Sequence, residues 1–308
     1  MISIRRLRIE YDGAVAVRDL DLDVEAGMVY GLIGPNGAGK TSTLRVLATL
    51  LEPVDGTVTV GGVDALEQPR EARRRMGYMP DFSAVFDDLT VREFLDFYAR
   101  AHHHPRPDRP SRIGWCLDRV RLVEKAEALV GGLSRGMKQR LVLAKTLLHD
   151  PPVLLLDEPA SGLDPMARIE FRAILRDLGA MKKTILVSSH ILTELSDFCN
   201  AVGIMEQGRL VVSGRIDDIL ARMSPHPRLA IALAAADDGL APFLAAHPRV
   251  RSSRVDGATA EATFDGDADA IAGFLSELVV AGFRVRSFTE RKENIEDIFL
   301  KVGATNVS

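Results

Sequence analysis

The sequence predicts an α/β protein whose core holds a mainly parallel sheet and a helical insertion, followed by a small C-terminal α+β domain. Three observations predict this architecture. Strand-like apolar runs alternate with helical patterns over residues 1–222, the pattern between about residues 85 and 150 is helical, and the prolines of the segment 225–227 disfavour a continuing helix. We therefore expect a first domain over residues 1–222, with a helical subdomain at about 85–150, and a second domain over residues 225–308.

The predicted elements of the first domain follow from the periodicity of its apolar residues. Short runs rich in Val, Ile and Leu are typical of buried strands, whereas apolar residues that recur every three or four positions are typical of helices. The expected strands are Met28–Ile33, Val58–Val60, Val153–Leu156, Thr184–Ser188 and Val202–Met205. The expected helices are Ser42–Leu51, Val91–Ala101, Trp115–Val120 and Gly136–His149.

The second domain is expected to be a small sheet with helices. Its predicted elements are a strand at Leu229–Leu233, a hairpin around Asp256-Gly257, a helix at Asp269–Ala281 and a strand at Arg284–Phe288. A final helix would place four apolar residues on one face, namely Ile295, Ile298, Phe299 and Val302. That face either covers the core of the second domain or makes a dimer contact.

Composition excludes several classes of function. The chain has 308 residues, of which 39 are basic and 43 acidic, so its net charge of −4 gives no broad positive field for nucleic acid. Cys116 and Cys199 lack metal-ligand spacing and are expected to be buried thiols of a reducing compartment. The start has no signal-peptide pattern, and no apolar run approaches the ~20 residues that cross a bilayer. We expect a cytoplasmic protein that reaches a membrane only through a partner.

The segment 34–41 fits the phosphate-binding pattern G-x-x-x-x-G-K-[ST] at every fixed position. Its glycines let backbone N–H groups turn toward an anion, and the helix that follows directs its positive end to the same place. Lys40 suits the β- and γ-phosphates, and the Thr41 hydroxyl suits Mg²⁺. The alternative, a glycine-rich turn without a ligand, is disfavoured by the predicted strand and helix on either side. The motif predicts a nucleoside triphosphate with magnesium, held by Gly34, Pro35, Asn36, Gly37, Ala38, Gly39, Lys40, Thr41 and the adjoining Ser42.

Two carboxylates, Asp157 and Glu158, follow the predicted buried strand 153–156. Ligands of open α/β sheets gather at the carboxyl ends of the strands. Asp157 is expected to hold Mg²⁺, directly or through water, and Glu158 is expected to orient and deprotonate an attacking water. Alone, the pair would also suit two solvated acids at a strand end, but the phosphate-binding loop favours the catalytic interpretation.

Three further motifs resemble those of ATP-binding cassette (ABC) ATPases. Residues 133–137, Leu-Ser-Arg-Gly-Met, lie just before a predicted helix and resemble the signature sequence of that family; residues 161–164 resemble its D-loop, and His190 its switch histidine. With the phosphate loop and the acidic pair, five motifs follow in the family's order between about Tyr11 and Gly214. The resemblance implies a P-loop NTPase fold of the ABC ATPase type, with its helical insertion.

The resemblance also implies roles for residues outside the phosphate loop. Tyr11 would stack its ring on adenine. Ser134 and the backbone of Gly136 would reach the γ-phosphate of an ATP held by a second copy of the chain. Asp164, in the D-loop, would belong to the same nucleotide site, and His190 would contact the γ-phosphate and help to align the attacking water.

Two segments depart from the family's pattern. Asp81 stands where the family usually has Gln, and it completes the set of expected Mg²⁺ contacts, since a carboxylate is a stronger ligand than an amide although one methylene shorter than Gln. The signature has Arg135 in place of Gly and Met137 in place of Gln.

By this resemblance the chain is expected to be the ATPase subunit of an ABC transporter. A homodimer would close around two ATP molecules, reopen after hydrolysis and drive a separate transmembrane permease from the inner face of the membrane. The segment 82–95 would help to form the groove for a cytoplasmic helix of the permease, with Phe82, Val85 and Phe86 as contacts, although packing in the core is an alternative for them. The short βα tail resembles that of exporters with separate permease chains, so export is expected.

The sequence leaves two alternative functions and one alternative site. A soluble ABC ATPase that acts on DNA or ribosomes is the alternative, but the chain lacks the long heptad repeats of the DNA group and the second cassette of the ribosome group. A cassette that binds ATP without turnover conflicts with the presence of both Glu158 and His190. The run 102–104 is His-His-His among prolines and charges, and it indicates a solvated loop more than a metal site.

Overall fold

The computed structural model describes residues 1–191, 195, 198–223 and 226–291. They form two compact units, the first Met1–Ile216 and the second beginning at Asp217. This divide lies a few residues before the prolines at 225–227. Among the described residues, none of the helices combines the length and the apolar composition needed to span a bilayer.

The first unit alternates strands with helices, as the apolar pattern predicts. Its strands are β1 (Ile2–Tyr11), β2 (Ala14–Val24), β3 (Val29–Ile33), β4 (Asp55–Val60), β5 (Val63–Asp64), β6 (Met76–Met79), β7 (Val153–Leu156), β8 (Thr184–Ser189), β9 (Ala201–Glu206) and β10 (Arg209–Arg215). Its described helices are α1 (Lys40–Leu47), α2 (Pro69–Arg75), α3 (Val91–Ala101), α4 (Arg109–Arg119), α5 (Arg135–Leu147) and α6 (Pro165–Ala180), and α7 (Ile216–Met223) crosses the divide.

Six strands form the central sheet in the order β10-β9-β3-β8-β7-β6. All the pairings from β9 to β6 are parallel, and β10 is an antiparallel edge strand. Strands β3, β7 and β8 are buried along their whole length, as is typical of a parallel sheet that is covered on both faces. The α/β fold class is confirmed, and the carboxyl ends of these three strands lie at the same edge of the sheet.

The core contains a second sheet that the sequence analysis missed. Strands β2-β1-β4-β5 form an antiparallel sheet whose inner face packs against the same hydrophobic core as β3 and α1. In β1, Ile2, Ile4, Leu7 and Ile9 are buried, but the pairing register shifts between Ile4 and Leu7. The extra residue at that bulge interrupts the strict alternation by which a half-buried strand is recognised.

The helix boundaries differ from prediction where the backbone adopts special conformations. The predicted helix Ser42–Leu51 is observed as α1, which begins directly after Gly39, at φ 102°, and ends before Thr49, at φ 58°. Helix α4 begins at Arg109 instead of Trp115, because Pro110 is tolerated in the first turn of a helix. Helix α3 has the predicted bounds, and α5 begins and ends within two residues of them.

The second unit contains an antiparallel sheet and two further helices. Its elements are β11 (Arg228–Leu233), α8 (Leu240–Ala246), β12 (Val250–Asp256), β13 (Thr259–Phe264), α9 (Ala268–Val280) and β14 (Val285–Arg291), and its strand order is β12-β13-β11-β14. The hairpin at Asp256-Gly257 is present between β12 and β13. Buried apolar residues of β11, β13 and both helices form the core of this unit. The predicted final helix with Ile295 and Phe299 lies outside the described residues.

Helix α3 begins with a complete capping box. The hydroxyl of Thr90 accepts a hydrogen bond from the Glu93 amide at 3.2 Å, and the Glu93 carboxylate accepts from the Thr90 amide at 2.8 Å. Each contact satisfies a backbone donor that the first turn of a helix would otherwise leave without a partner. The helical subdomain therefore depends on Thr90 for the start of its first helix.

Replacing Thr90 with Ala should lower the free energy of unfolding by about 1 kcal/mol, because the cap is lost. In a domain of this size that corresponds to a decrease in Tm of about 2–4 °C. Thermal unfolding followed by circular dichroism measures it. The matched variant Thr90→Ser keeps the hydroxyl and should unfold close to the wild type; equal losses in the two variants would contradict the capping role.

Candidate functional site

The phosphate-binding pattern forms the loop between β3 and α1. A Cβ on Gly39 would lie 2.7 Å from the Ala16 carbonyl oxygen, and the residue has φ 102°, so both space and backbone conformation require glycine there. The chain then enters α1 at Lys40, which brings the amino end of the helix to the carboxyl end of β3. The loop thus has the strand–loop–helix setting that the motif requires.

Lys40 is the buried cation of the site. Its side chain is 5% exposed, and its Nζ donates to the carbonyl oxygens of Gly34 at 2.7 Å and Pro35 at 3.1 Å. The same Nζ lies 3.5 Å from Oε1 of Glu158. Because a buried ammonium needs partners for its charge, these contacts fix where Lys40 points, which is into a cavity over the loop.

Asp157 lies at the end of β7 and is 1% exposed. Its Oδ1 accepts hydrogen bonds from the hydroxyls of Thr41, at 3.1 Å, and Ser188, at 2.7 Å. The Ser188 hydroxyl in turn accepts from the amide of Glu158 at 2.9 Å. The carboxyl ends of β3, β7 and β8 therefore meet at the Asp157 carboxylate. Thr41 follows the loop after β3, Asp157 follows β7, and Ser188 lies near the end of β8.

Burial raises the pKa of the Asp157 carboxyl above its ordinary value, because desolvation disfavours the charged form. The hydrogen bonds from Ser188 and Thr41 act in the opposite direction, and the negative charges of Asp81 and Glu158 add to the increase. The surroundings of Asp157 therefore disfavour its negative charge. A cation bound nearby would offset this desolvation penalty.

Glu158 and His190 form a pair on the open side of the site. His190 Nδ1 lies 2.7 Å from Oε2 of Glu158, and the His190 side chain is 40% exposed whereas that of Glu158 is 13% exposed. Glu158 has φ 46°, in the left-handed region that residues other than glycine seldom adopt. The carboxylate lies between Lys40 and His190, and Glu158 lines the cavity.

A cavity of about 410 Å³ brings most of the predicted residues together. The predicted residues that line it are Asn36, Gly37, Ala38, Gly39, Lys40, Thr41, Ser42, Asp81, Glu158 and His190. Ala16 and Ser161 line it as well, and sequence reasoning gave neither a place in the site. It also missed Ser188, although a hydroxyl at the end of a fully buried strand beside β7 is a signal that could have found it.

The residues present fit a magnesium ion. Mg²⁺ prefers oxygen ligands and is usually bound through one or two carboxylates together with substrate phosphates and water. The Thr41 hydroxyl and the Asp157 carboxylate are adjacent, and Asp81 lines the same cavity. Among the described residues, no group of three or more His, Cys, Asp or Glu side chains is arranged to hold a metal by itself. A site of this kind therefore suits a metal that arrives with phosphates.

Tyr11 lies beside the cavity. It is the last residue of β1, its side chain is 40% exposed, and its hydroxyl donates to Ser42 Oγ at 3.2 Å. The ring is thus attached to the first turn of α1 and accessible to a planar ligand.

The signature segment lies apart from this cavity. Ser134 caps α5 by accepting from the Met137 amide at 3.3 Å, and Asp164 caps α6 by accepting from the Ala167 amide at 2.9 Å. A Cβ on Gly136 would lie 2.7 Å from the Cβ of Ala167, so the two helix starts are in close contact. None of Ser134, Gly136 and Asp164 lines the cavity that contains Lys40.

The histidine run forms part of the connection between α3 and α4. His102 and His103 are exposed, and His104 is half-buried. The ring of His102 stacks on that of His149 at a centroid distance of 4.4 Å, and the partial burial lowers the pKa of His102 to about 4. The run packs against the end of α5 and lies outside the cavity lined by Lys40.

Comparison with known proteins agrees with the geometry. A family model described as ABC transporter matches residues 17–161. YxlF of Bacillus subtilis strain 168, described as an uncharacterized ABC transporter ATP-binding protein, is 35% identical over 303 residues, which cover 98% of this chain and 99% of that protein. The Nod factor export ATP-binding protein I of Cupriavidus pinatubonensis is 38% identical over 220 residues, which cover 71% of this chain and 68% of that protein.

A solved structure gives the same result for the fold. The ATP-binding subunit of an ABC transporter is 29% identical to this chain and superposes with a TM-score of 0.64, over 72% of this chain and 92% of that one.

Replacing Asp157 with Asn should raise the Tm of the nucleotide-free protein by a few degrees. The amide has nearly the same shape and keeps an oxygen for Thr41 and Ser188, but it removes a buried charge. Because the pKa of Asp157 is higher in the folded than in the unfolded state, the penalty in the wild type is present at neutral pH. This penalty fades as the pH falls through the pKa of Asp157 in the folded state, so the Tm values of the wild type and of Asp157→Asn should converge in acid.

Differential scanning fluorimetry from neutral to acidic pH tests this, with the exposed carboxylate variant Asp88→Asn as control. Adding ATP and Mg²⁺ should raise the Tm of the wild type and of Asp88→Asn far more than that of Asp157→Asn. An Asp157→Asn protein that is less stable without nucleotide would contradict the account of the buried charge.

Proposed function

Because this chain belongs to the family of ABC transporter ATP-binding proteins, we propose that it works as a homodimer whose ATP hydrolysis drives export through a separate membrane permease. It is an ATPase subunit of a transporter. The observation that carries the proposal is the cavity in which Lys40, Thr41, Glu158 and His190 converge on one phosphate-binding loop.

The phosphate loop binds the triphosphate of ATP. Its backbone N–H groups and the amino end of α1 receive the negative charge, and Lys40 exchanges its contacts with Glu158 and the loop carbonyls for the β- and γ-phosphates. Tyr11, whose hydroxyl is held by Ser42, provides a ring on which adenine stacks.

Thr41, Asp157 and Asp81 would hold Mg²⁺ through their oxygen atoms. When bound, the ion would neutralise charge that develops on the phosphates during transfer. The buried charge of Asp157 supports this assignment, since a cation relieves the penalty of its desolvation.

Glu158 is the general base. Its carboxylate takes a proton from the attacking water, the water oxygen forms a bond to the γ-phosphorus, and the bond to the bridging oxygen of ADP breaks. His190, 2.7 Å from Glu158, holds the carboxylate in the orientation that receives the water. Position 158 lines the cavity, which supports direct access to the water.

The site is completed by a second copy of the chain. Ser134, Gly136 and Asp164 lie outside the cavity of their own chain, although the resemblance implies that they serve a nucleotide. Ser134 and Gly136 stand at the amino end of α5, where backbone N–H groups favour an anion. Closure of the dimer is therefore favoured by ATP, whose γ-phosphate both chains would contact, and hydrolysis removes that link.

The permease binds at an exposed aromatic surface of the first unit. Phe82, Phe86 and Phe97 are 84%, 48% and 51% exposed, and the rings of Phe86 and Phe97 are in edge-to-face contact at 5.6 Å. Exposed rings of this size are unusual on a surface that meets only water, and they suit contact with the apolar face of an amphipathic helix of the partner. The half-buried Val85 adjoins the same surface.

Export is the direction that we propose. One of the relatives, the Nod factor export ATP-binding protein I of Cupriavidus pinatubonensis, is named for export. The alternative, a soluble ABC ATPase on DNA or ribosomes, has no support from the net charge of −4.

Replacing Glu158 with Gln should reduce the steady-state kcat for ATP hydrolysis about 100-fold or more and leave ATP binding in place, because the amide cannot accept the proton of the water. Phosphate release measures turnover, and a fluorescent ATP analogue measures binding. The exposed Glu124→Gln variant is the control and should hydrolyse ATP like the wild type. Unchanged turnover in Glu158→Gln would exclude Glu158 as the base.

Tagged Glu158→Gln protein, purified in mild detergent with ATP and Mg²⁺, should recover a polytopic membrane protein, which mass spectrometry identifies. Adding Phe82→Ser and Phe86→Ser to that protein should reduce the recovery of the membrane partner at least about fivefold, because exposed aromatic anchors dominate such interfaces. ATP-dependent dimerisation, measured by light scattering, should persist in both proteins. Recovery of ribosomes or nucleoid proteins instead would favour the soluble alternative.

A further inference from the structure

Arg135 contacts the segment 161–164 across the gap between α5 and α6. Its guanidinium Nη2 donates a hydrogen bond to the carbonyl oxygen of Ser161 at 3.1 Å. Arg135 is the first residue of α5 and follows the cap Ser134, so the contact joins the signature segment directly to the loop that precedes α6.

The guanidinium also covers Gly162. A Cβ on Gly162 would lie 2.5 Å from Cζ of Arg135, closer than a real Cβ atom comes to a neighbour, and the residue has φ 66°. The absence of a side chain at Gly162 therefore lets the planar group lie against the loop backbone. The hydrogen bond and the packing are two separate observations of the contact between Arg135 and the loop, and the packing depends on the absence of a side chain at Gly162.

The residue that Arg135 contacts also reaches the phosphate cavity. Ser161 lines that cavity, and its amide donates to the carbonyl oxygen of Glu158 at 3.0 Å. Arg135 is thus separated from the proposed general base by one short turn of chain. A displacement of residues 158–161 would move the acceptor of Arg135.

The starts of α5 and α6, which flank the contact between Arg135 and the loop, are held close together. Gly136 and Ala167 are in close contact, and Asp164 holds the first turn of α6 through the Ala167 amide. Ser161 at the cavity is therefore joined to the signature segment by the Arg135 side chain, and the starts of α5 and α6 are in contact beside it.

We propose that Arg135 is a positioning residue that clamps the loop 161–164 to the amino end of α5, so that this loop and the signature segment 133–137 move together. The inference rests on the proposed function, since the signature segment acts on the ATP of a second chain. Through the clamp, a displacement of residues 158–161 at the phosphate cavity of one subunit also moves the signature segment that this subunit presents to its partner. Arg135 itself lies outside the cavity and does not bind the phosphates held by its own chain.

The first test compares single variants of the full chain. Arg135→Ala should lower kcat about tenfold, the effect of losing a hydrogen bond of about 1.4 kcal/mol, and change the KM for ATP less than about twofold. Arg135→Lys should recover part of the loss, because an ammonium can donate to Ser161 but cannot cover Gly162. The control is Arg140→Ala, which removes another α5–α6 contact, the 3.4 Å ion pair with Glu170, and should keep the kcat of the wild type.

The second test is a double-mutant cycle. Gly162→Ala should lower kcat more in the wild type than in Arg135→Ala, because its Cβ displaces the guanidinium only in the wild type, whereas the backbone strain at φ 66° is common to both. Equal effects of Gly162→Ala in both backgrounds would overturn the clamp, as would a kcat for Arg135→Ala equal to that of Arg140→Ala.

Hydrogen–deuterium exchange separates a failure of the clamp from a failure of the proposed function. The amides of residues 161–164 should exchange several-fold faster in Arg135→Ala than in Arg140→Ala, whether or not ATP is hydrolysed. If the wild type hydrolyses ATP and the two variants exchange alike, the clamp is wrong and the proposed function stands. If the wild type shows no ATPase activity, the proposed function fails, and faster exchange in Arg135→Ala still supports the clamp.

Discussion

Parallel pairing of β3, β8 and β7 is the constraint on which the rest of the site depends. Parallel strands end at the same edge of a sheet, so the phosphate loop, the acidic pair and the segment with Ser188 and His190 arrive together although they are far apart in the chain. The strands are fully buried, and a shift of one residue in any pairing would turn apolar side chains away from the core. The hydrophobic core therefore fixes the register, and the register fixes the distances between catalytic groups.

At that edge the protein keeps charge where burial disfavours it. Lys40 is nearly inaccessible and satisfies its ammonium with loop carbonyls, and Asp157 satisfies one carboxylate oxygen with two hydroxyls. These neutral partners compensate in part for the lost hydration; Lys40 also has the Glu158 carboxylate at 3.5 Å, whereas the hydroxyls do not neutralise the charge of Asp157. A ligand that brings both phosphates and a cation complements the pair, so the electrostatics of the free protein already favour the complex.

Local patterns predicted the parts of the site that lie within one stretch of sequence. The loop 34–41 and the pair Asp157 and Glu158 could be recognised because their residue types and spacing carry the chemistry by themselves. Ser188 was not recognised: a hydroxyl at the end of a buried strand indicates a polar contact, but its partners are decided only when β8 pairs with β7 and places the hydroxyl between Asp157 and the amide of Glu158. The antiparallel sheet was missed for a related reason: the expected strand Val58–Val60 is part of β4, but its pairing with β1, about 50 residues earlier in the chain, is not visible in either segment alone. Pairing partners and bulges are tertiary properties, and a single sequence carries only a weak trace of them.

The backbone of Glu158 has a consequence over evolutionary time. A left-handed conformation at a residue other than glycine costs about 1–3 kcal/mol, and glycine or asparagine at position 158 would reduce that strain. The same replacement would remove the carboxylate that lies 3.5 Å from the buried ammonium of Lys40. In a lineage that no longer turned over ATP, relief of the backbone strain and loss of this ion pair would therefore act on stability in opposite directions at position 158.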